Sequence, residues 1–425
     1  MTKYLIIGSS AAAIGAVESI RAADKDGKIT VVSNEPHPLY SRPLITYLLA
    51  GQIDESKMSY GSPGLYRKYK VEEVLGKEAV AVHPEDKKVV LNDGTILPYQ
   101  KLLLATGGRP IVPEVEGKDL PGVFTFTTLD DARKMDEFIK KNDVKNAVVV
   151  GGGLIGLKTA EALIARGIKV TIVELADRIL SATFDRKASE IVETALREKG
   201  CELITNSTIW RIPGREWVKK VVLRGGAEVH CQLVVFAIGV APNTELAKGA
   251  GIKVRKGILV DDRMRTNLPD IYAAGDVVEA YDIVTATTRQ IAIWPNAHLQ
   301  GSIAGLNMAG NAEAYDGSFA MNAVEICDVP TISIGLTDPQ ENDYEVLERH
   351  EKAQRAYKKI VLKDDVIVGA IFVNKIDRAG VFRALIKSRE NVRIFKDVLL
   401  RDDFGLVWLP ETFRKHTVVG EGTEV

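Results

Sequence analysis

Gly151, Gly153 and Gly156 fall in the pattern G-x-G-x-x-G, and the chemistry that spacing permits is the cradling of a dinucleotide pyrophosphate. The first glycine allows a tight turn, the second lets the backbone approach the phosphates, and the third lets helix and strand pack closely. The phosphates would sit on the unpaired N–H groups at a helix N-terminus. Ile155 lies inside the turn, and Glu174 stands where an acid can accept hydrogen bonds from a ribose 2′-hydroxyl. A carboxylate there repels a 2′-phosphate, which favours NAD over NADP. A second turn opens the chain as Gly8-x-Ser10-x-x-Ala13, with Ala11 and Ala12 inside it. Only its first glycine survives. Alanine is tolerated at the third position, whereas Ser10 adds a Cβ at the second and brings a hydroxyl that could bond phosphate instead. The acid is displaced, because Ser33 ends the apolar run and Glu35 follows it.

The elements needed to hold these residues can be read around them. The apolar run at 4–7 meets Gly8, residues 14–23 read as a helix, and 29–33 is a second apolar run. This is strand, turn, helix, strand. The same order returns at 147–150, then a helix to about Arg166 that Gly167 ends, then 169–173. The fold class expected is α/β, with two Rossmann-like dinucleotide-binding regions.

A length of 425 residues suggests two to four domains, and 46% hydrophobic content suits a core of ordinary size. A net charge of −1 provides no overall field toward nucleic acid or an anionic membrane. No apolar run reaches the ~18 residues of a membrane span. The first residues read as a strand rather than a signal peptide, so a cytoplasmic location is expected. The three cysteines, Cys201, Cys231 and Cys327, form no C-x-x-C pair, and the six histidines lack ligand spacing, so neither a disulfide framework nor a metal site is expected. The tail after Pro410 is polar and reads as mobile.

Three more motifs follow in order: Ala105-Thr106-Gly107-Gly108-Arg109-Pro110, Ala237-Ile238-Gly239-Val240-Ala241-Pro242-Asn243, and Ala273-Ala274-Gly275-Asp276. With the two turns, they resemble the FAD-dependent pyridine nucleotide oxidoreductases. The branch resembled is that of ferredoxin and rubredoxin reductases and the flavin module of NADH-dependent nitrite reductases. The resemblance is strong over about 1–320. It implies a split FAD-binding region at 1–112 and 248–320, an inserted NAD(H)-binding region at 113–247, and a C-terminal α/β region at 321–425 that forms a dimer. It implies that Asp276 bonds a ribityl hydroxyl. Asp276 reads equally as the N-cap of a following helix, whose N-terminus would then face the flavin. Pro295 and Ala297, after Trp294, would line the ring, with Trp294 itself either at the flavin or in the core. Arg42 and Pro43, in Tyr40-Ser41-Arg42-Pro43, would lie beside the flavin, and Val80 would touch the adenine through its backbone.

Two departures from the resemblance matter. Relatives with a redox cysteine carry it near positions 41–44, and no cysteine precedes Cys201 here, so thiol–disulfide chemistry is not expected. The three cysteines read as small buried hydrophobes. Many relatives also pair a lysine with a glutamate near the flavin, and here those positions are Tyr47 and Lys158. Lys158 either supplies the cation near the flavin and nicotinamide, acting as the catalytic residue, or points to solvent. The segment 378–401 holds seven basic and two acidic side chains. It is either a docking face for an acidic carrier or a helix face paired across a dimer. The function expected is transfer of electrons from NADH through FAD to a small protein carrier. Two alternatives stand beside it: an NADH oxidase using oxygen, and a flavoprotein sensor without significant turnover.

Overall fold

The computed structural model describes residues 2–61 and 64–409, so the tail after Pro410 lies outside the described residues. Two fully parallel five-stranded sheets carry the fold. The first runs Ile271–Ala273, Lys101–Leu104, Tyr4–Ile7, Ile29–Ser33, Val71–Leu75 across the sheet. The second runs Glu202–Ile204, Lys169–Val173, Asn146–Val150, Leu233–Phe236, Val123–Thr125. Tyr4–Ile7 is buried at every position and shares one core with the helix Ala11–Ala23 and the antiparallel strands at 79–98, and a continuous apolar run is what a parallel strand covered on both faces requires. In both sheets, the strand that ends at a glycine turn is flanked by one strand reached directly and one reached much later in the chain. Such reversals of strand order leave a crevice at the carboxyl ends of the strands.

Register brings distant residues to that crevice. Ile7 pairs with Leu104, and Leu104 pairs with Ala273. The residues that follow them, Gly8, Ala105 and Ala274, therefore leave the first sheet side by side. Val150 pairs with both Val173 and Phe236, so Gly151, Glu174 and Ala237 leave the second sheet together. The helix Ala11–Ala23 packs against Trp294–Met308 at a distance only small residues allow: a Cβ on Gly301 would lie 1.9 Å from the Ala12 carbonyl oxygen.

The chain forms two compact units, Met1–Leu175 with Cys201–Ser318, and Ala176–Gly200 with Phe319–Val425. Both parallel sheets belong to the first. The second has an antiparallel sheet ordered Met321–Ile326, Val329–Gly335, Val366–Val373, Ala356–Lys363, Glu345–Glu351, with the helix Ala379–Ser388. It also takes the helix Arg186–Glu198, which the sequence places within 113–247. A buried apolar face at Ile191, Val192 and Leu196, with charge at both ends, explains this assignment. Asp185 caps that helix by accepting from Ala188 N–H at 3.0 Å. Its other oxygen meets the buried Lys359 Nζ at 3.0 Å and accepts from Tyr357 Oη at 2.7 Å. Arg355 closes the far end of the helix on Glu198. Among the described residues, no helix is long and apolar enough to cross a membrane.

Candidate functional site

The first cradle forms where strand Tyr4–Ile7 enters helix Ala11–Ala23. Gly8 has φ +113°, and a Cβ there would lie 2.1 Å from the Ala105 oxygen, so only glycine fits. Ser10 is the N-cap of the helix, yet its side chain makes no capping bond. Its hydroxyl and the first amides of the helix, at Ala11, Ala12 and Ala13, are available to an anion. Gly275 has φ +87° and donates to the buried Gln300 Oε1 at 2.9 Å. This holds Asp276 against the turn. The Asp276 carboxylate makes no hydrogen bond or ion pair within the described residues. Burial raises its pKa above the usual carboxylate range, and the Arg42 charge pulls it part of the way back. A desolvated, unpartnered carboxylate beside a helix N-terminus is an acceptor awaiting donors, as a polyhydroxyl chain with a pyrophosphate would supply. The residues present therefore fit FAD.

The surroundings of this cradle depart from expectation in one respect. No helix follows Asp276: the chain turns, with Val278 N–H donating to the Gly275 carbonyl, and runs into the strand Val278–Asp282. The buried, β-branched Val277 and Val278 suit that strand. The N-cap alternative for Asp276 is thereby removed, and the helix near this turn is Trp294–Met308. Pro295 is exposed and Ala297 buried in its first turn, and Trp294 packs partly on the core and 5.4 Å from the Tyr60 ring. Val80 lies in the strand Ala79–His83 at a register shift between Ala79 and Ala81, so it faces no cross-strand partner and is exposed. A bulge frees backbone groups of this kind from the ladder.

Glu35 is the acid of the first cradle, and the chain holds both its oxygens. Tyr40 Oη donates to Oε2 at 2.6 Å, and Arg42 donates to Oε1. Tyr40 Oη also accepts from Leu129 N–H at 3.0 Å, and Arg42 reaches the Thr127 carbonyl at 3.0 Å. Pro43 follows in a short 3-10 turn. Sequence reasoning missed the hydroxyl of Tyr40. The spacing Glu35-Tyr40-Arg42 was visible, but nothing local pointed to the backbone at 127–129.

In the second cradle, each glycine has a different neighbour. Gly151 has φ +109°, with a Cβ position 2.4 Å from the Ala237 oxygen. A Cβ on Gly156 would lie 2.0 Å from the Gly151 oxygen, which is the close helix–strand contact expected. A Cβ on Gly153 would meet nothing within 4 Å. Neither packing nor φ asks for glycine at 153, so the open space in front of it is the cradle itself, and it fits NAD(H). Glu174 accepts from Gly152 N–H at 2.5 Å, which fixes the acid beside the turn. Ile155 is exposed at the rim, and Gly239 turns with φ +120°.

Between the cradles run two crossing strands, Gly108–Pro110 and Val240–Pro242, paired antiparallel. Thr106 Oγ1 donates to the Asn243 carbonyl at 2.9 Å, and Asn243 N–H donates to the Gly107 carbonyl at 2.9 Å. Arg109 pairs with Glu245 at 2.8 Å on the exposed side of this ribbon, and those bonds lower the Glu245 pKa. Lys158 is half-buried on the helix Leu154–Ala165, with Nζ 5.6 Å from the centroid of Tyr47 and an ion pair to Glu161. The three cysteines are buried, and burial pushes the Cys231 thiol up to about 12.

Known proteins share this arrangement. Residues 2–301 match the family described as pyridine nucleotide-disulphide oxidoreductase, and residues 321–390 match the rubredoxin NAD+ reductase C-terminal domain. The NADH-dependent phenylglyoxylate dehydrogenase subunit epsilon of Aromatoleum evansii is 34% identical over 92% of this chain and 93% of its own. An NADH oxidase of Methanocaldococcus jannaschii is 36% identical over 72% of this chain and 70% of its own. The crystal structure of a ferredoxin reductase for the CYP199A2 system from Rhodopseudomonas palustris superposes with a TM-score of 0.81 at 28% identity, covering 88% of this chain and 91% of that one. Matched over most of its length and carrying a cradle for each nucleotide, the chain belongs to the FAD-dependent pyridine nucleotide oxidoreductases.

Proposed function

We propose that this flavin oxidoreductase takes electrons from NADH and delivers them through FAD to a small protein carrier, without a redox-active cysteine. FAD, when bound, accepts a hydride and can return its electrons singly. The observation that carries the reading is the pair of cradles in one compact unit, with no thiol among the residues around either turn. The chain's own residues bind and orient. The turn at Gly8 and the Ser10 hydroxyl would take the flavin pyrophosphate, Asp276 a ribityl hydroxyl and Glu35 the adenosine ribose. Gly151, Gly153 and Gly156 would take the NADH pyrophosphate, and Glu174 its ribose.

Lys158 would act as the catalytic residue by placing positive charge beside the reacting rings, where a fixed cation favours developing negative charge. Its support is its half-buried place over Tyr47. Changing Lys158 to Glu should slow anaerobic flavin bleaching by NADH in stopped flow, and an unchanged rate would remove the role. The finer assignments belong to the same reading: FAD binding by 1–112 and 248–320, NAD(H) binding by 113–247, a homodimer formed through 321–425, and a cytoplasmic location. Sedimentation of the holoprotein tests the dimer.

The purified protein should be yellow and should bleach when NADH is added without oxygen, faster than with NADPH. A colourless protein that takes up no flavin on reconstitution would end the proposal. The similarity to an NADH oxidase favours a second reading, with oxygen as acceptor. Turnover with oxygen alone, matching that with an added ferredoxin or rubredoxin, would select it.

A further inference from the structure

Tyr40 stands where the first cradle meets the segment that follows the edge strand Val123–Thr125 of the second sheet. Its hydroxyl, with the ring almost fully buried, donates to Glu35 and accepts from Leu129 N–H. Leu129 is the first residue of the helix Leu129–Asn142, which packs beside the second sheet. Arg42 repeats the link in parallel: it donates to the other Glu35 oxygen and to the Thr127 carbonyl, and its guanidinium lies 5.6 Å from the Tyr40 ring centroid. The acid of the first cradle is thus tied by two side chains to the backbone of Thr127 and Leu129, just after the edge strand of the second sheet. Further ion pairs flank the same seam. His37 Nε2 lies 2.6 Å from Asp130 Oδ1, Arg133 bonds Glu55 at 2.6 Å, and Arg166 bonds Asp136 and the Leu49 carbonyl.

We propose that Tyr40 is the positioning residue of this clasp, and that through it occupancy of one nucleotide cradle strengthens occupancy of the other. The inference rests on the reading of Glu35 as the ribose acid of the flavin cradle. A carboxylate has about four acceptor sites, and the clasp uses one on each oxygen, which leaves room for ribose hydroxyls. A ligand that bonds Glu35 restricts the carboxylate to the orientation that Tyr40 and Arg42 also require, so it favours the state in which 127–129 are held. The helix Leu154–Ala165, which starts at the second cradle, is tied through its C-cap Arg166 to Asp136 of the helix Leu129–Asn142, so a ligand that orders that helix favours the same state. Two ligands that prefer one state assist each other reciprocally.

The test uses the FAD-loaded protein and follows the rise of flavin fluorescence as FAD is released after dilution. ADP-ribose is the probe for the second cradle, because it carries the adenosine, pyrophosphate and ribose but no nicotinamide that could stack on the flavin. Saturating ADP-ribose should slow FAD release about fivefold or more in the unaltered protein, within the usual range of coupling between sites. In Tyr40→Phe, release should be faster and should no longer respond to ADP-ribose. Leu129→Pro is the second variant. It removes the N–H that Tyr40 accepts, together with the buried leucine side chain, at a first helical position where proline is tolerated and after Thr128, whose extended backbone suits a following proline. It should also abolish the response. An equal response in both variants, or none in the unaltered protein although calorimetry shows that ADP-ribose binds, overturns the clasp. A protein that holds no FAD, or binds no ADP-ribose, overturns instead the functional reading beneath it.

Discussion

At the scale of single residues, the glycines of the second turn separate folding from binding. Gly151→Ala puts a Cβ 2.4 Å from a carbonyl oxygen at a left-handed φ. It should cost about 1–3 kcal/mol of stability, read by denaturant unfolding. Gly153 is an N-cap with φ −80°, and its Cβ would enter open space. Gly153→Ala should therefore leave stability unchanged or slightly raised, while the KM for NADH rises about tenfold, the equivalent of about 1.4 kcal/mol of lost phosphate contact. Equal losses of stability in the two variants would contradict the assignment of that space to a ligand. Asp276 gives the complementary case. Its folded pKa is raised, so between the unfolded value and the folded one the native chain keeps a proton that the unfolded chain has lost. Stability of the apoprotein therefore falls as pH rises through that window. Asp276→Asn should raise the Tm of the apoprotein at pH 7 and weaken FAD binding. A lowered Tm would show that the carboxylate is satisfied without a cofactor.

At the scale of elements, the helix Arg186–Glu198 is held by a buried apolar face, Ile191, Val192 and Leu196, and by charge at both ends. Lys359 is 7% exposed at its side chain and faces Asp185 at 3.0 Å. Removing one member of a buried pair leaves the other uncompensated. Asp185→Ala should destabilise the antiparallel unit by about 3 kcal/mol, and the helix also loses its N-cap. Urea unfolding followed by tryptophan and flavin signals would check this, since flavin loss at the same midpoint would mean the two units do not melt separately. The same element marks what a sequence can and cannot convey. Both strand–turn–helix units, both glycine turns and Glu174 were legible, because their logic is local: short apolar runs, turn residues and an acid at a fixed offset. The company of 176–200 was not, because Lys359 and Tyr357 lie far along the chain and no periodicity points to them. The absent helix after Asp276 was misread because a carboxylate after glycine caps a helix as readily as it ends a strand. Tyr40 was seen only as a neighbour of Arg42, since its partner is the backbone of Leu129, and a backbone amide has no sequence signature.

At the scale of the whole molecule, the question is how a carrier finds its reductase. The basic segment at 378–401 is less basic in three dimensions than in sequence. Arg378 is spent on the Asp403 and Phe404 carbonyls, Arg401 on the Asp403 carboxylate, and Lys396 on Glu345 and Asp365 at 2.8 and 2.7 Å. Arg383, Lys387, Arg389 and Arg393 remain, exposed and in no ion pair among the described residues, with the exposed Ile394 beside them. Arg383 and Lys387 are one helical turn apart on the open face of Ala379–Ser388. Unpaired surface cations add little to stability but steer an oppositely charged partner, and steering is screened over roughly 10 Å at 0.1 M salt. Replacing Arg383 and Lys387 by glutamate should therefore leave flavin reduction by NADH unchanged and lower the second-order rate of carrier reduction about tenfold at low salt. The deficit should shrink as ionic strength rises. Lys396→Ala is the control, because it removes a cation already neutralised by two carboxylates and should change that rate little. If the charge reversal and the control behave alike, or if carrier reduction is flat from low to high salt, the four free cations serve contacts between copies of the chain rather than delivery of electrons.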